Sequence, residues 1–339
     1  MALEQRRRER KKTWTRFGEM KRRPNDYEIV THNMNHTVRT TPLEMGPHVH
    51  GNVWLKRYRD AIALKAADWD GFRDPDRVTY DSYVKSQDDA ETFVDSLLES
   101  YTGNETTDAG LSTDALSLLG RALTPQRYLV HAQMMLTAYI QQLAPSSYIS
   151  NCAVFQAADQ LRRVQRIAYR TKQLDSEHPV NGFGSAERAI WEKDADWQPM
   201  RKTLERMLLV FDWDRALVAT NLVLRPVLDA LFLNELGMVM RKLGDELDAL
   251  ILDNLFRDSQ RHDRWAIALA KFLVAEDGDN RTTLRRFAGE WSGPADEIIE
   301  ASARLLAGPG TGLKTSEVAE RVRNFVAELQ YRAGLGHDA

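Results

Sequence analysis

The sequence contains one cysteine, Cys152, among 339 residues. A single thiol can form no disulfide within the chain, and it cannot supply a cluster of thiolate ligands to a metal ion. The sequence therefore predicts a protein of a reducing compartment, the cytoplasm. Cys152 is expected to pack in the core of a helical structure, because no nucleophile motif surrounds it.

An excess of charge of one sign is also absent, since 46 Lys and Arg residues stand against 49 Asp and Glu residues. The net charge of -3 argues against a protein that binds nucleic acid through its overall electrostatic field. The exception is local, because residues 1–12 are rich in Arg and Lys, and Trp14 and Phe17 follow closely. A helical protein that associates with nucleic acid through this basic segment stays open as an alternative, although no nucleic-acid partner is predicted.

Long apolar runs are missing as well. The most apolar stretch, residues 216–240, is interrupted by polar, charged or proline residues: Asn221, Arg225, Pro226, Asp229, Asn234 and Glu235. A membrane-spanning helix needs about 20 mostly apolar residues. The basic start of the chain is not followed by the apolar segment of a signal peptide. A soluble protein without a membrane partner is therefore predicted.

No stretch reads as a pair of β-strands, whereas a helical period runs from Pro75 onward. Asp74-Pro75 has the form of a helix start. In the helix expected over residues 150–174, one apolar stripe recurs at spacings of three and four: Ala153, Ala157, Leu161, Val164 and Ala168. Four long helices in two pairs, separated by a Gly-rich turn at residues 181–184, predict an all-α, ferritin-like bundle of the ribonucleotide-reductase type.

Three segments are predicted along the chain. Residues 1–77 lack a sustained period and are dense in basic and aromatic residues, which favours an extended N-terminal arm that lies on another protein surface. Residues 78–275 form the helical bundle, and residues 276–339 add short C-terminal helices. Deletion of the arm is expected to stop assembly while the helical bundle stays soluble.

A ferritin-like bundle can hold two iron ions when two helices each supply a Glu and two others each supply a Glu-x-x-His pair. No histidine in this sequence has a Glu three residues before it. Asp175 precedes His178 at this spacing, and Ser259 precedes His262. The sequence therefore predicts no catalytic, cofactor-binding or metal-binding residues in this chain.

Two weaker candidates for chemistry remain. Asp212 and Asp214 flank Trp213, but a spacing of two points them to different faces of a helix, which favours solvated or ion-paired roles. Four histidines of the arm could bind a metal ion, although residues of this kind are more often found in interfaces or turns: His32, His36, His48 and His50.

Eight motifs carry a resemblance to a known family. They are residues 27–30 (YEIV), 54–59 (WLKRYR), 68–75 (DWDGFRDP), 144–149 (APSSYI), 158–169 (ADQLRRVQRIAY), 211–214 (FDWD), 221–226 (NLVLRP) and 261–265 (RHDRW). With these residues the chain resembles the β subunit of the hydroxylase component of bacterial multicomponent monooxygenases, in the toluene, alkene and isoprene branch. The resemblance runs from the arm to about residue 270.

The resemblance implies a hydroxylase with two copies each of α, β and γ chains, (αβγ)2, in which the α chain carries a di-iron centre that activates O2. An effector protein and a Rieske ferredoxin are implied as transient partners, and a reductase supplies electrons from NADH. The β chain is implied to be a related bundle that has lost its iron site and acts as a non-catalytic structural subunit. The substrate, whether toluene, isoprene or another small alkene, is implied to be selected by the α chain.

By the same resemblance, the two Glu-x-x-His pairs of the α chain fall here on Gln160 with Arg163 and on Ser259 with His262. Three of these four residues cannot serve as the expected iron ligands. We hypothesise that Arg163 supplies positive charge inside the bundle and pairs with neighbouring acidic residues.

Contacts with the α chain are predicted for five residues of the arm: Trp54, Tyr58, Trp69, Phe72 and Arg73. Aromatic residues and arginine are enriched in protein interfaces. For Trp69 and Phe72, packing in the core of this chain is the alternative. A stand-alone ferritin-like di-iron oxidase, with ligands that no motif reveals, also stays open as an alternative function.

Overall fold

The computed structural model describes residues 22–32, 50–102, 108–308 and 310–336. Within these ranges the regular structure is helical and no strand occurs. The α-helices of the first half are α1 (Asp26–Thr31), α2 (His50–Leu55), α3 (Tyr80–Thr102), α4 (Thr113–Leu118), α5 (Gln126–Leu143) and α6 (Ser147–Glu177). Those of the second half are α7 (Glu187–Lys193), α8 (Gln198–Met207), α9 (Trp213–Lys242), α10 (Glu246–Glu276), α11 (Asp279–Leu306) and α12 (Thr315–Arg332).

Short helical turns of other types complete the described chain. Residues Trp69–Gly71 and Pro179–Asn181 form 3-10 turns. Wider π turns follow α2 at Lys56–Asp60 and α4 at Leu119–Leu123. The all-α prediction is confirmed by these elements.

The bundle is built from two helix pairs, as the sequence predicts. A short loop at residues 144–146 joins α5 to α6, and the two helices pack along their lengths. In the second pair α9 packs against α10, and α10 also packs against α6, which joins the two pairs. The outer helices α3, α11 and α12 pack around this core.

The central helix α9 is long and apolar enough to cross a membrane by length and composition, yet its most apolar window is entirely buried in the bundle. It contacts α5, α10, α11 and α12. A helix that is apolar all round belongs either to a membrane span or to the core of a large protein, and burial by neighbouring helices identifies the second case here.

Pro226 lies inside α9, and two π turns flank it at Ala219–Leu224 and Ala230–Glu235. Proline has no backbone N–H, so the carbonyl groups four and five residues earlier lose a donor. Gln330 of α12 donates from Nε2 to the carbonyl of Leu222 at 3.0 Å, and Arg225 donates to that of Asn221 at 3.3 Å. Two side chains thus donate to the carbonyl groups that Pro226 leaves without a backbone donor.

Some helix boundaries differ from those that the sequence predicts. The start expected at Asp74-Pro75 is a turn, because the Asp74 carboxylate accepts from the amides of Asp76 and Val78 at 3.0 Å each, and α3 begins at Tyr80. The short helices predicted for residues 276–339 are in fact the long helices α11 and α12. Pro294 lies within α11 without ending it, since the apolar side of this helix is buried against its neighbours.

The described part of the predicted arm is bound to the bundle of its own chain. Asp214 at the start of α9 accepts from the amides of Ala63 and Leu64 at 2.8 and 3.0 Å. Asn280 in α11 accepts from the Lys65 amide at 2.9 Å and donates to its carbonyl at 2.6 Å. Residues 1–21 and 33–49, and with them the basic segment, His36 and His48, lie outside the described residues.

Candidate functional site

A buried polar cluster lies at the centre of the bundle, where α6, α9 and α10 meet. It surrounds a cavity of about 20 Å³ and is called the central cluster here; its lining residues are Asp159, Gln160, Arg163, Asp229, Leu233, Leu255, Asp258, Ser259 and His262. The four residues that the resemblance assigns to former ligand positions all lie around this cavity. A spacing of three places Gln160 and Arg163 on one face of α6, and Ser259 and His262 on one face of α10.

Arg163 is buried and forms a close ion pair inside the central cluster. Its Nη1 donates to Oδ1 of Asp229 at 2.8 Å, and its Nη2 donates to Oε1 of Gln126 at 2.6 Å. Burial lowers the pKa of the Arg163 guanidinium, and the Asp229 carboxylate opposes this shift. Arginine stays protonated in proteins, so the group carries its charge into the core.

Asp229 is also held by two further donors. Ser259 donates from Oγ to Oδ2 of Asp229 at 2.8 Å, and Arg225 donates from Nη1 to the same oxygen at 3.3 Å. Arg225 then reaches Asp263 of α10 through Nη2 at 2.7 Å. One carboxylate therefore faces two guanidinium groups and one hydroxyl group.

His262 contacts a second buried carboxylate. Its Nε2 lies 2.7 Å from Oδ2 of Asp159, which also accepts from Arg261 and, through Oδ1, from the Tyr83 hydroxyl at 2.9 Å. Burial, followed by the charges of Arg225 and Arg261, holds the pKa of His262 well below its ordinary value. The imidazole is therefore neutral at neutral pH, with Nε2 donating to Asp159.

The third carboxylate of the central cluster, Asp258, has a guanidinium partner as well. Arg162 donates from Nη1 to Oδ2 of Asp258 at 2.8 Å and from Nη2 to Oδ1 of Asn254 at 2.6 Å. The same arginine reaches Glu91 on α3. Each of the three carboxylates around the cavity is thus paired with arginine, as burial of charge requires.

The residues of the central cluster do not fit a di-iron centre. Such a centre needs four Glu and two His side chains directed at the ions. Gln160, Arg163 and Ser259 stand at three of the four paired positions, and arginine side chains already bind the carboxylates that remain. Across the part of the chain that the structure describes, no group of three or more His, Cys, Asp or Glu residues is placed to hold a metal ion.

The side chain of Gln160 is one reason why the central cluster does not fit a di-iron centre. Its side chain is buried, and both Nε2 and Oε1 lack a protein hydrogen-bond partner among the described residues. A cavity needs about 10–15 Å³ to hold one water molecule, so the space beside this amide suffices for one. A neutral carboxamide cannot supply the negative charge that a bridging ligand must bring to two cations.

Sequence reasoning missed several residues of the central cluster. Gln126 of α5 and Asp229 of α9 reach Arg163, so each of the four bundle helices contributes a polar side chain to this site. Arg225 and Asp229 form an i,i+4 pair within an apolar stretch, and that spacing could have identified them. For Asp159 and Asp258, the only signal in the sequence is that each directly precedes a former ligand position, Gln160 or Ser259.

Of the five residues predicted to contact the α chain, two are buried in the core of this chain and three are half-buried. Trp69 and Phe72 are buried, with their rings 5.7 Å from the Trp213 ring and 5.9 Å from the Phe272 ring. This is the core packing that stands as the alternative for both residues.

The other three predicted contact residues keep part of their side chains at the surface. Trp54 is half-buried, donates to the Tyr139 hydroxyl at 3.1 Å and lies 4.5 Å from the Tyr58 ring. Arg73 bonds Glu28 at 3.0 Å and covers the Tyr148 ring at 4.1 Å. A partner contact at Trp54, Tyr58 and Arg73 stays a prediction.

Among the described residues, the remaining candidates do not form a site. His32 and His50 contact different rings, those of Tyr148 and Trp54, each at 6.1 Å between centroids. Asp214 binds backbone amides of the arm, whereas Asp212 lies 3.8 Å from Arg215. Burial raises the pKa of the Cys152 thiol well above its ordinary value, which keeps it protonated and unreactive.

Comparison with known proteins identifies relatives of this arrangement. A family model described as methane/phenol/alkene hydroxylase matches residues 51–277. The chain is 36% identical over 297 residues to the β subunit of the hydroxylase component of the toluene-4-monooxygenase system of Ectopseudomonas mendocina. That alignment covers 87% of this chain and 90% of the relative.

A solved structure of toluene 4-monooxygenase with toluene bound in its resting active site contains a chain of the same fold. The TM-score is 0.83 at 35% identity, and the match covers 88% of this chain and 98% of that chain. The ferritin-like hydroxylase bundle predicted from the sequence is thereby confirmed.

Two different components of one enzyme also match this chain. They are the oxygenase components DmpL and DmpN of the phenol 2-monooxygenase of Pseudomonas sp. strain CF600, at 24% identity over 277 residues and 23% over 239 residues. The alignments cover 80% and 67% of this chain, and 80% and 43% of those components. Two components of that oxygenase are therefore homologous to the chain described here.

Proposed function

The chain belongs to the methane/phenol/alkene hydroxylase family, and we propose that it is the non-catalytic β subunit of a multicomponent di-iron monooxygenase hydroxylase. In this role it scaffolds an α subunit that carries the di-iron centre. The enzyme oxidises small hydrocarbons with O2 and electrons from NADH. Its substrate is either toluene or an alkene such as isoprene. Its location is the cytoplasm.

The observation that carries this proposal is the central cluster. The four positions assigned to former ligands surround one cavity, and Arg163, Arg225 and Arg261 bind the carboxylates beside it. Guanidinium groups supply the positive charge that metal ions would bring to such a core. A bundle stabilised in this way keeps its shape without iron and can serve as a rigid partner for an iron-bearing chain.

The proposed assembly contains two copies each of α, β and γ chains. An effector protein and a Rieske ferredoxin bind it transiently. The two matching components of phenol 2-monooxygenase support a partner that is itself homologous to this chain. Within the arm, Trp54, Tyr58 and Arg73 keep side-chain area for contact with the α subunit, while Trp69 and Phe72 are packed in the core of this chain.

The experiment is native mass spectrometry of the tagged chain purified from its own host, with iron assigned to each species. We expect a complex near twice the summed mass of three different chains, and iron confined to a larger partner. A lone chain or homo-oligomer with about two iron ions would instead identify a stand-alone oxidase. A metal-free lone chain with salt-dependent DNA binding would favour the basic segment as the functional element.

A further inference from the structure

The described part of the arm contains a pocket that is separate from the central cluster. Its volume is about 320 Å³, and its lining comes from one short stretch of chain that includes Arg59, Asp60, Ile62, Leu64, Lys65 and Trp69. We call it the arm pocket. Small-molecule sites in proteins typically have volumes of about 300–1,000 Å³, so the arm pocket has room for a small organic molecule.

The backbone around the arm pocket is held in place by the bundle. Three polar side chains accept hydrogen bonds from amides between residues 63 and 67. Asp214 accepts two of them at 2.8 and 3.0 Å, Asn280 accepts one at 2.9 Å, and Glu276 accepts another at 2.9 Å. The pocket therefore has its shape before a ligand binds, which lowers the entropy that binding costs.

Arg59 brings a buried positive charge to the wall of the arm pocket. Its side chain is only 9% exposed, and it pairs with its neighbour Asp60, which accepts from Nε at 2.8 Å and from Nη2 at 3.4 Å. All three nitrogens of a guanidinium group are donors. Among the described residues, Nη1 of Arg59 has no acceptor. A buried charge is stable when its hydrogen bonds are made, so Arg59 has donors available for a ligand.

Lys65 adds a second positive charge to the lining. Its Nζ donates to the carbonyl of Ile62 at 2.5 Å, and none of the described carboxylates pairs with it. Asp60 is the acidic residue of the lining, which therefore carries one positive charge in excess. This balance favours an anionic ligand over a cationic one.

The other walls of the arm pocket are apolar. Ile62, Leu64 and Trp69 are buried and belong to the hydrophobic core that this part of the arm shares with the bundle. The Trp69 ring packs edge-to-face against the Trp213 ring at 5.7 Å, which fixes its position. A pocket with apolar walls and a few polar groups at one side is typical of sites for small organic molecules.

We propose that the arm pocket binds a small organic carboxylate with an apolar body, such as an aromatic acid. The planar guanidinium group matches the two oxygens of a carboxylate. A phosphate dianion fits less well, because Asp60 lies beside Arg59 and the lining has a single charge in excess. A neutral molecule of the same shape would leave Nη1 of Arg59 without a strong acceptor. All residues of this site belong to the chain described here, so the site does not depend on the proposed assembly.

Three probes are compared on the tagged wild-type protein, purified in the assembly that it forms in its own host. Isothermal titration calorimetry measures the binding of benzoate, of benzyl alcohol as the neutral molecule of similar shape, and of inorganic phosphate. We expect benzoate to bind with a Kd of about 1 mM or tighter, and the other two probes to bind about tenfold more weakly or less. Equal affinity for benzyl alcohol or for phosphate would overturn the proposal, and so would a lack of benzoate binding. The last result is also expected if a carboxylate side chain of a partner protein already fills the pocket.

Variants of the lining then assign the bound benzoate to the arm pocket rather than to another site of the assembly. Arg59→Met keeps an unbranched side chain but removes the donors, and it should weaken benzoate binding about tenfold. Lys65→Met is the second variant in case Arg59→Met lowers the melting temperature; Lys65 is exposed, and its change should weaken binding about threefold. The matched control is Arg188→Met, because Arg188 is exposed on α7 and pairs with one acid, Glu192. Benzoate affinity that is unchanged in both lining variants would refute the arm pocket as the site.

Discussion

At the scale of single residues, the central cluster is organised around buried carboxylates and the arginines that pair with them. Asp159, Asp229 and Asp258 come from three different helices, and each accepts from a guanidinium group. An ion removed from water needs a partner of opposite charge at hydrogen-bond distance. Arginine side chains meet this need with permanent charge and planar geometry.

Arg163 gives the most direct test of this arrangement. We expect Arg163→Met to lower the free energy of unfolding by about 3 kcal/mol, because Asp229 then loses its closest cation in a buried site. The measurement is a urea unfolding curve followed by tryptophan fluorescence. Adding Asp229→Leu should restore part of the loss, since both buried charges are then gone.

The exposed Arg188 serves as the control for Arg163, and Arg188→Met should leave the unfolding midpoint unchanged. If Arg163→Met were as stable and as fully assembled as the wild type, Arg163 would not be the residue that replaces a cation in this bundle.

His262 predicts a pH dependence of stability. Its pKa in the folded chain lies well below the ordinary value, so the unfolded chain binds the extra proton when the pH falls below about 6.5. Stability is therefore expected to fall with decreasing pH in that range, by up to about 1.4 kcal/mol per pH unit for this one group.

The pH measurement compares unfolding midpoints of wild type and His262→Gln between pH 7.5 and pH 5.5. Glutamine can still donate to Asp159 but does not titrate, so the variant should have a shallower slope. Equal slopes for both chains would show that other groups cause the pH dependence.

At the scale of secondary-structure elements, the central helix α9 is irregular, and a side chain of another helix compensates for its missing backbone hydrogen bond. Pro226 breaks the hydrogen-bond ladder, and π turns lie on both sides of it. A proline inside a helix is expected to kink it. The sequence could not predict which side chain donates to the Leu222 carbonyl. Gln330 lies more than a hundred residues away and reaches this carbonyl only through the packing of α12 on α9.

A double-mutant cycle measures how far Gln330 compensates for Pro226. Gln330→Met should cost about 1–3 kcal/mol of unfolding free energy, because it leaves a buried carbonyl without a donor. In the Pro226→Ala background the backbone regains an N–H, so the same change should cost less. Denaturant unfolding of the four chains gives the coupling energy, and a value near zero would mean that Gln330 does not compensate for the proline.

At the scale of the whole molecule, the described part of the arm and the bundle share one hydrophobic core. Leu64, Trp69 and Phe72 are buried in the same hydrophobic core as the helices. The expectation that residues 78–339 stay soluble without the arm therefore changes once these contacts are known. Burial of one large apolar side chain stabilises by about 1.5–3 kcal/mol.

We accordingly expect deletion of residues 1–77 to destabilise the bundle itself as well as to prevent assembly. Soluble yield and the melting temperature of the truncated chain are the measurements. Phe72→Ala is the matched point variant and should cost about 3–5 kcal/mol in an otherwise complete chain. A truncated chain that melts at the wild-type temperature would show that the arm is only an interface segment.

The sequence by itself determined the helical class, the faces of α6 and α10 that carry Gln160 with Arg163 and Ser259 with His262, and the lack of Glu-x-x-His pairs. These properties follow from the period of the backbone and from residue type, both of which are local. Tertiary structure alone decided that the two faces meet, that Asp229 pairs with Arg163, and that Asp159 pairs with His262. The partners in these pairs lie 66 and 103 residues apart. Such contacts depend on how the helices pack, which no local pattern specifies.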